Sequence, residues 1–467
     1  MASTRAQLHT QTAADHSSAA HYVLKFGGSS LADPVAMQRC IAIIQQTPAA
    51  RWVVVSAPAG VTNALLAIAD SGKDGAVDEQ LLLRQREQIQ QRLTAFADWL
   101  KLEPTRPDWQ RIQQQISSAT ACQGASRDQL LSLGERCSAL LLTLALQQQG
   151  IAAQHLPAQH WLRTDSCYGD AEADPQASRQ QLAALDVSHG IQITEGFTGA
   201  DQHGNTTTLG RGGSDYSAAL LAEASAARQL QIWTDVAGLY SCDPRLVPDA
   251  HPIAELAFAE AAELATFGAN VLHPKTLWPA MRADIPVFIG STLNIEQDKL
   301  SRGTLIRRQV SQQSEFTALA LRRRQTLLKI SSPDMLYRYG FLAKVFAILA
   351  DQQISVDLVT TSEISVALTL DERGSRQALS TQALQALQQL GQVSVEHDLA
   401  LVAVVGSNLS QAPQLAARLF TALAGINVRL INHGASRHNL CLLVAEADAE
   451  ASVRQLHQAL LSKNATR

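Results

Sequence analysis

Two stretches near the end of the chain resemble each other, and this repeat is the strongest restriction on the fold. One begins at Leu342 and reads "LAKVFAILADQQISVDLVTTSEISVALTL"; the other begins at Leu415 and reads "LAARLFTALAGINVRLINHGASRHNLCLLV". Each has the pattern of an amphipathic helix, a turn, an apolar strand, a polar loop and a second apolar strand. Internal repeats usually mark duplicated modules, and this order of elements matches a small ferredoxin-like βαββαβ unit. The repeat predicts two tandem α+β modules.

The chain before the repeats alternates short apolar strands with helical patterns. "YVLKF" reads as a buried strand, followed by a Gly27–Gly28 turn, the helical "AMQRCIAIIQQ" and the strand "RWVVVSAPAG". This order predicts a parallel α/β sheet. Residues 78–123 have helical spacing and predict a helical excursion on the surface. "AELAFAEAAELATFGANVLHPKT" predicts a helix that ends at Gly268, and "FTALALRRRQTLLKISS" predicts a strand, a turn and a strand.

Composition excludes several classes of protein. With 467 residues, two or three domains are expected. A net charge of −4 argues against a nucleic-acid partner or a polybasic membrane contact. The six cysteines form no CxxC pair, which argues against a metal knuckle or a disulfide framework and favours a reducing cytoplasm. Residues 1–20 are polar and read as a loose tail rather than a signal peptide. No apolar run reaches the length of a membrane span.

A glycine-rich turn before a helix is the best candidate for a binding site. It lies in "TTTLGRGGSDYSAALLAEA", which begins at Thr206. The backbone can approach a ligand closely at three glycines: Gly210, Gly212 and Gly213. Ser214 and Asp215 lie where the helix should begin, and the free amides there favour an anion. Arg211 adds planar donors suited to a carboxylate or phosphate. The simpler alternative is a helix cap beside a solvated arginine.

Three other loops carry weaker signals. In "KFGGSS", Lys25 at a strand end could reach bound phosphates, although neither a Walker A motif nor a GxGxxG fingerprint is present. In "WTDVAGLYSCDPR", Thr234 and Asp235 end a strand, where open α/β sheets bind ligands. The same loop contains Tyr240, which could face a purine, and Arg245, which could contact a phosphate. Read alone, Lys25 would be a solvated lysine at a strand end, and "WTDVAGLYSCDPR" would be a surface loop.

Two further positions are weaker still. Thr62 lies in "PAGVTN" and Glu135 in "LSLGERCSALLL". An acidic residue near the start of an apolar helix, such as Glu135, is usually a cap or a partner of the helix dipole.

Four of these segments together resemble the signature blocks of the aspartokinases. They are "KFGGSS", "GFTGADQHGNTTTLGRGGSDYSAALLAEA", "WTDVAGLYSCDPR" and "FAEAAELATFGANVLHPKT". The repeats resemble the ACT modules of the same family, and the first is most similar to its lysine-sensitive, single-function branch. The resemblance implies an α/β fold: a carbamate-kinase-like, parallel-rich sheet sandwich of the amino acid kinase type, followed by two ferredoxin-like ACT modules. The implied boundaries are a tail at 1–20, a catalytic domain at 21–302 and ACT modules at 314–395 and 396–467.

The resemblance also implies a reaction and a set of residues. The reaction is transfer of the ATP γ-phosphoryl group to the β-carboxylate of L-aspartate, with Mg²⁺ but without a dedicated protein metal site. Catalysis is assigned to Lys25 and Asp215. Substrate binding is assigned to Thr62, Glu135, Arg211, Gly212, Gly213 and Ser214. ATP binding is assigned to Lys25, Phe26, Gly27, Gly28, Thr234, Asp235, Tyr240, Arg245, Asn270 and Val271. Asn270 departs from the family, which usually has lysine in "GAKVLHP"; Lys275 or Arg245 could take its place.

The ACT modules imply a regulatory amino acid, for which L-lysine is expected, bound at a homodimer interface that could pair further into a dimer of dimers. The implied effector residues are Met335, Arg338, Phe341, Leu342, Ser355, Val356, Asp357, Ser362 and Glu363. Arg338 departs from the small hydroxyl residue usual in the lysine-sensitive branch. The alternative is a dimerisation unit that binds no ligand.

Three rival functions are considered. A kinase acting on glutamate or uridylate would lack the ACT pair and the "TTTLGRGGSD" block. A sensor with a decayed kinase domain would not need the retained Lys25, Arg211, Asp215 and Glu135. A kinase–dehydrogenase fusion is rejected, because no dinucleotide fingerprint follows the second repeat.

Overall fold

The computed structural model describes residues 20–73, 77–187, 189–268, 274–293, 303–336, 339–371 and 379–462. Its helices are α1 (Pro34–Gln45), α2 (Val61–Asp70), α3 (Glu79–Leu100), α4 (Pro107–Ser117), α5 (Gly124–Leu131), α6 (Leu133–Gln148), α7 (Pro175–Ala183), α8 (Gly213–Ala224), α9 (Phe258–Phe267), α10 (Pro274–Arg282), α11 (Phe341–Asp351), α12 (Thr381–Gln388), α13 (Leu415–Ala422) and α14 (Ala449–Leu460).

The strands are β1 (Tyr22–Phe26), β2 (Ala50–Val55), β3 (Ala153–His155), β4 (Ile191–Glu195), β5 (Thr198–Ala200), β6 (Thr206–Thr208), β7 (Gln229–Thr234), β8 (Glu255–Ala257), β9 (Val287–Ser291), β10 (Gly303–Arg307), β11 (Ala318–Ser331), β12 (Val356–Thr361), β13 (Ser365–Asp371), β14 (Gln392–Val405), β15 (Val428–His433) and β16 (Asn439–Ala445).

The first domain is built on the predicted parallel-rich sheet. Its strand order is β3-β4-β2-β1-β7-β9-β10-β8, and of these neighbouring pairs only β9–β10 is antiparallel. The carboxyl ends of β1, β2, β4 and β7 therefore lie along one edge, which is where open α/β sheets place their ligand sites. The hairpin β5–β6 leads from this edge to the start of α8.

Helices cover both faces of the sheet, and the side chains of β1 alternate between the two resulting cores. Leu24 and Phe26 are buried on the face covered by α1 to α6, whereas Val23 is buried on the face covered by α8, α9 and α10. The predicted helices at 78–123 are present, but they are not a purely surface excursion. Ile89 and Phe96 on α3 are fully buried in the same core as β1.

The two repeats form one antiparallel sheet in the order β12-β13-β11-β14-β16-β15. The long strands β11 and β14 serve both repeats. Residues 318–322 of β11 pair with the half of β14 that neighbours β16, and residues 325–331 pair with β13 and the other half of β14. Residues 318–322 thus complete the sheet of the second repeat, although they precede the first repeat in sequence. The domain boundaries themselves stay predictions.

The predicted strand–turn–strand at 316–332 is wrong. The segment is one strand, β11, with a bulge between Arg322 and Gln325 and a left-handed Arg324 at φ 59°. A bulge bends a strand without reversing it. Here it lets one strand pass from the sheet of one repeat to that of the other.

The second repeat packs against the first domain through the loop that follows β7. The Leu319 amide donates to the Ser241 carbonyl oxygen at 2.8 Å, and the Ser241 hydroxyl lies 3.0 Å from Nε2 of the buried His457. On α9, Glu263 accepts hydrogen bonds from Ser436 at 2.5 Å and Asn439 at 2.6 Å. The two domains are therefore held together by buried and partly buried polar contacts as well as apolar packing.

The abutting helices α5 and α6 are long and apolar enough, by composition, to cross a membrane. In that stretch, Gly124–Gln148, 89% of the qualifying window is buried inside the protein, as expected of core helices.

Candidate active site

A cavity of about 630 Å³ opens where the strands of the first domain end and α8 begins. It brings together all the residues that the sequence assigned to catalysis and substrate binding, and one that it assigned to ATP binding, Gly28. The catalytic and substrate-binding residues are Lys25, Thr62, Glu135, Arg211, Gly212, Gly213, Ser214 and Asp215. These residues come from segments far apart in sequence. The parallel sheet places them together because its strand ends share one edge.

Lys25 and Asp215 form an ion pair inside this cavity, with side chains only 8% and 17% exposed. Lys25 is on the same face of β1 as Val23, the face that α8 covers. Its stem is buried against that helix, and its ammonium group reaches the carboxylate of Asp215 in the first turn of α8. The pair holds a cation at the cavity wall in a fixed position.

The start of α8 requires glycine for two different reasons. Gly212 precedes the helix at φ 74°, a left-handed conformation that side chains disfavour. A Cβ on Gly213 would lie 2.8 Å from the ring of Phe197, which therefore packs directly on the backbone. Gly212, Gly213 and Ser214 at the start of the helix line the same cavity as the exposed Arg211 side chain. The arrangement suits an anionic ligand.

Glu135 adds a buried carboxyl group to the cavity wall. It is 3% exposed, and its Oε2 has no hydrogen-bond partner within the described part of the chain. Burial is the main cause that raises the pKa of Glu135 to about 8, with the amides of Ala57 and Glu135 itself acting in the opposite direction. A cationic group bound in the cavity would compensate this buried carboxylate.

The sequence interpretation missed Asp128, which lies behind the substrate loop. Asp128 is fully buried, and its Oδ2 accepts hydrogen bonds from the amides of Gly169 at 2.9 Å and Thr208 at 2.7 Å. Both of these residues line the cavity, as does the neighbouring Arg127. Asp128 precedes Glu135 by two helical turns, so the two carboxylates were detectable as one face of a helical stretch.

Some of the residues predicted to bind the nucleotide lie next to Lys25, and others do not. The Gly27 amide donates to the Trp233 carbonyl oxygen at 3.0 Å, and a Cβ on Gly27 would lie 3.9 Å from Thr234 Oγ1. Thr234 in turn donates to Asp235 at 3.1 Å. These residues adjoin Lys25. The Phe26 side chain is buried in the core, which leaves only its backbone for a ligand.

Of the predicted nucleotide residues that the structure describes, only Lys25 and Gly28 line the cavity, and Tyr240 and Arg245 do not adjoin Lys25 as Gly27 and Thr234 do. Tyr240 pairs with Pro252, and Arg245 is 85% exposed and forms an ion pair with Asp243 at 2.7 Å. Both belong to the loop that packs against the second repeat. Asn270 and Val271 lie outside the described residues. Lys275, which could replace the missing lysine, is 3.6 Å from Asp170.

The predicted effector residues form two groups on the first repeat. Phe341 and Leu342 begin α11, and Met335 ends the short helical turn Pro333–Met335 that precedes it. The Ser332 amide donates to the Ile364 carbonyl oxygen at 2.8 Å, which places this turn beside the β12–β13 turn with Ser362 and Glu363.

The other group, Ser355, Val356 and Asp357, lies at the opposite end of β12. Asp357 and Ser362 are five steps apart along the strand, which is about 17 Å at 3.3 Å per residue. Arg338 is outside the described residues.

Among the described residues, no group of three or more His, Cys, Asp or Glu side chains could hold a metal ion. Asp215 is the acidic side chain that the cavity places next to Lys25.

Residues 21–291 match the amino acid kinase family, and residues 328–387 and 402–460 match the ACT domain. The chain is 46% identical to the lysine-sensitive aspartokinase 3 of Escherichia coli, across 94% of this chain and 98% of that protein. It is 34% identical to the chloroplastic aspartokinase 1 of Arabidopsis thaliana, across 93% and 79%.

Two crystal structures of E. coli aspartokinase III share the whole architecture. The R-state complex with aspartate and ADP superposes with a TM-score of 0.84 at 44% identity, covering 95% of this chain and all of that one. The T-state complex with lysine and aspartate superposes with a TM-score of 0.76 at 45% identity and the same coverage. The fold predicted from the sequence is thereby confirmed, and the described conformation is the more similar to the R state.

Proposed function

Because the chain belongs to the aspartokinases of the amino acid kinase family, we propose that the cavity beside Lys25 and Asp215 is where it phosphorylates the β-carboxylate of L-aspartate with ATP. The observation that carries this assignment is the convergence of Lys25, Glu135 and the Arg211–Asp215 turn on one cavity. The product is 4-phospho-L-aspartate, which places the enzyme at the start of a route to the amino acids made from aspartate.

The chemistry requires two anions to meet. The substrate carboxylate is already ionised at neutral pH, so no strong base is needed. Phosphoryl transfer depends instead on positioning and on stabilising charge as it develops on the transferred group. Lys25 supplies a cation held in place by Asp215, and the amides at the start of α8 supply fixed dipoles.

Aspartate carries one ammonium and two carboxylate groups, and the cavity offers a partner for each kind. Glu135 is the buried acceptor for the ammonium group, since a bound cation would stabilise its ionised form. Arg211 and Ser214 face the carboxylates, and Thr62 completes the wall. This arrangement distinguishes an amino acid from a simple dicarboxylate.

Gly27, Gly28, Thr234 and Asp235 form the nucleotide end of the site, next to Lys25. The ion that accompanies ATP is Mg²⁺, which takes its oxygen ligands chiefly from the phosphates and water. Tyr240 and Arg245 would reach the nucleotide only after movement of their loop. The roles of Asn270 and Val271 stay predictions.

We further propose that L-lysine inhibits the enzyme by binding to the first repeat. The two groups of predicted effector residues are too far apart in one chain for one amino acid to touch both. A second copy of the chain would bring one group of each protomer against the other group of its partner. Exposed apolar side chains support such a homodimer, because they occupy equivalent places in the two repeats: Phe346 and Val359 in the first, Phe420 and Ile431 in the second. The pairing of two such dimers stays a prediction.

The proposed location is the cytoplasm. All six cysteines are unpaired, and four of them are buried thiols, as expected under reducing conditions.

The test is acyl-phosphate formation by the purified chain. With ATP, Mg²⁺ and aspartate we expect a product that hydroxylamine traps, and little or none with glutamate or succinate. Lysine should lower the rate and threonine should not. Equal activity with glutamate would refute the substrate assignment, and inhibition by threonine alone would refute the effector assignment.

A further inference from the structure

Two ion pairs link the repeats. In one pair the long strand β11 carries the base, and in the other the long strand β14 carries the acid. Arg322 Nη1 lies 3.1 Å from Asp357 Oδ2, and Arg429 Nε lies 2.7 Å from Glu396 Oε1. Arg322 is in the part of β11 that completes the sheet of the second repeat, whereas Asp357 is on β12 of the first. In the second pair, Glu396 is in the half of β14 that belongs to the sheet of the first repeat, and Arg429 is on β15 of the second.

The two pairs occupy equivalent places in the repeats. Arg324 lies two residues after Arg322, and Asp398 lies two residues after Glu396. Both Arg324 and Asp398 have left-handed backbones, with φ 59° and 56°. The other residue of each pair, Asp357 on β12 and Arg429 on β15, lies within a bulge of its strand. The architecture is thus duplicated while the acid and the base have changed places.

The pair in the first repeat is the more deeply buried. The Arg322 and Asp357 side chains are 14% and 18% exposed, against 30% and 39% for Arg429 and Glu396. Burial raises the pKa of Asp357, while Arg322 acts to lower it. A carboxylate in this position needs a cation beside it, and in the described conformation Arg322 is that cation.

We propose that Arg322 is a specificity-determining residue of the regulatory site: its guanidinium holds Asp357, so that only a ligand with a cationic side chain can displace it. The inference rests on the proposed role of Asp357 in binding lysine. In the second repeat the equivalent position presents the cation Arg429, so the competition is confined to the first repeat.

The main chain at Arg322 also touches the catalytic domain. A Cβ on Gly268, the residue that ends α9, would lie 2.9 Å from the Leu321 carbonyl oxygen and 3.9 Å from Arg322 Cβ. The described fold is nearer to the relative's aspartate–ADP complex than to its lysine complex. The Arg322–Asp357 pair therefore stabilises the conformation without effector, and its loss favours the effector-bound one.

The first test is Arg322→Gln in the full-length enzyme. We expect half-inhibition at a lysine concentration lower by at least about threefold, with kcat and both KM values in the absence of lysine within about twofold of wild type. Arg322→Lys keeps a cation at the same place and should respond to lysine nearly as wild type does. Arg429→Gln breaks the matching pair and should leave half-inhibition unchanged. An unchanged or raised lysine requirement in Arg322→Gln, or an equal decrease in Arg429→Gln, would overturn the inference.

The second test is the double variant Arg322→Glu with Asp357→Arg, which copies the polarity of the Glu396–Arg429 pair. It should unfold at the wild-type temperature, yet lysine should not change its rate. Asp357→Asn alone separates the two proposals. If that variant is still inhibited by lysine, the effector site proposed above is wrong. If it is insensitive while Arg322→Gln behaves as wild type, only the competition by Arg322 is wrong.

Discussion

Lys25 and Asp215 are brought into contact by the packing of α8 on β1, although they are 190 positions apart in the sequence. The contact joins the cation of a central strand to the first turn of a helix that begins at a glycine turn. The local sequence around neither residue fixes the position of its side chain. Both are held in the cavity by the way the helix covers the sheet.

Replacing Lys25 by alanine should lower kcat by at least about a hundredfold, since one preorganised donor in a site of this kind is worth about 3–4 kcal/mol in the transition state. The measurement is steady-state kinetics with ATP and aspartate. Lys73→Ala is the control, because Lys73 is 55% exposed and pairs with Asp70 outside the cavity. Near-normal turnover of Lys25→Ala would remove Lys25 from the mechanism.

The buried Glu135 should make aspartate binding depend on pH. Its pKa is about 8, so the carboxylate that attracts the ammonium group forms as the pH rises toward that value. We expect the KM for aspartate to fall between about pH 6.5 and 8.5 in the wild type, by up to tenfold per pH unit where one proton is released. Glu135→Gln should have a higher KM that does not vary over this range. A wild-type KM independent of pH would contradict the assignment.

The same group should affect stability with a definite sign. The pKa of Glu135 is raised from the ordinary value of 4.5, so between pH 4.5 and about 8 the folded chain keeps a proton that the unfolded chain has lost. Its contribution to the free energy of unfolding therefore decreases as the pH rises through this window. Chemical denaturation should show a smaller decrease for Glu135→Gln than for wild type, and identical pH slopes would show that Glu135 titrates normally.

Asp128 should control the affinity for aspartate through the loop it holds. Asp128→Ala leaves the amides of Gly169 and Thr208 without their acceptor, at a cost of about 1–3 kcal/mol each. We expect a lower melting temperature and a raised KM for aspartate, with the KM for ATP little changed. Asp128→Asn retains a carbonyl oxygen that can accept both bonds and should be milder. Equal increases in both KM values would indicate general destabilisation instead.

The two glycines after β1 should differ in their tolerance of a side chain. A Cβ on Gly28 would lie 2.8 Å from the Ala57 carbonyl oxygen, whereas the nearest atom to a Cβ on Gly27 is 3.6 Å away. Gly28→Ala should therefore destabilise the fold and lower kcat, because the strand ends β1 and β2 must separate. Gly27→Ala should remain folded with a melting temperature close to wild type. The measurement is the melting temperature of each variant, compared with that of wild type.

The local patterns sufficed for most elements of the fold. The turn before α8, the end of α9 at Gly268 and the helix–strand order of both repeats follow from short-range chemistry: glycine where the backbone is left-handed, and apolar periodicity where one face is buried. The long strand β11 was missed because three polar residues, which suggest a turn, here form a bulge. Its correct shape depends on two sheets that are formed by residues far away in sequence.

The amino-acid sequence by itself determined which residues could bind anions and cations, and it did so through residue type and local spacing. Only the tertiary structure decided that Lys25 meets Asp215, that Asp128 supports the substrate loop, that Arg245 lies away from the cavity and that Arg322 holds Asp357. The physical reason is that these relationships are distances across a packed core. Such distances depend on how every intervening element fits, and no short window of sequence contains that information.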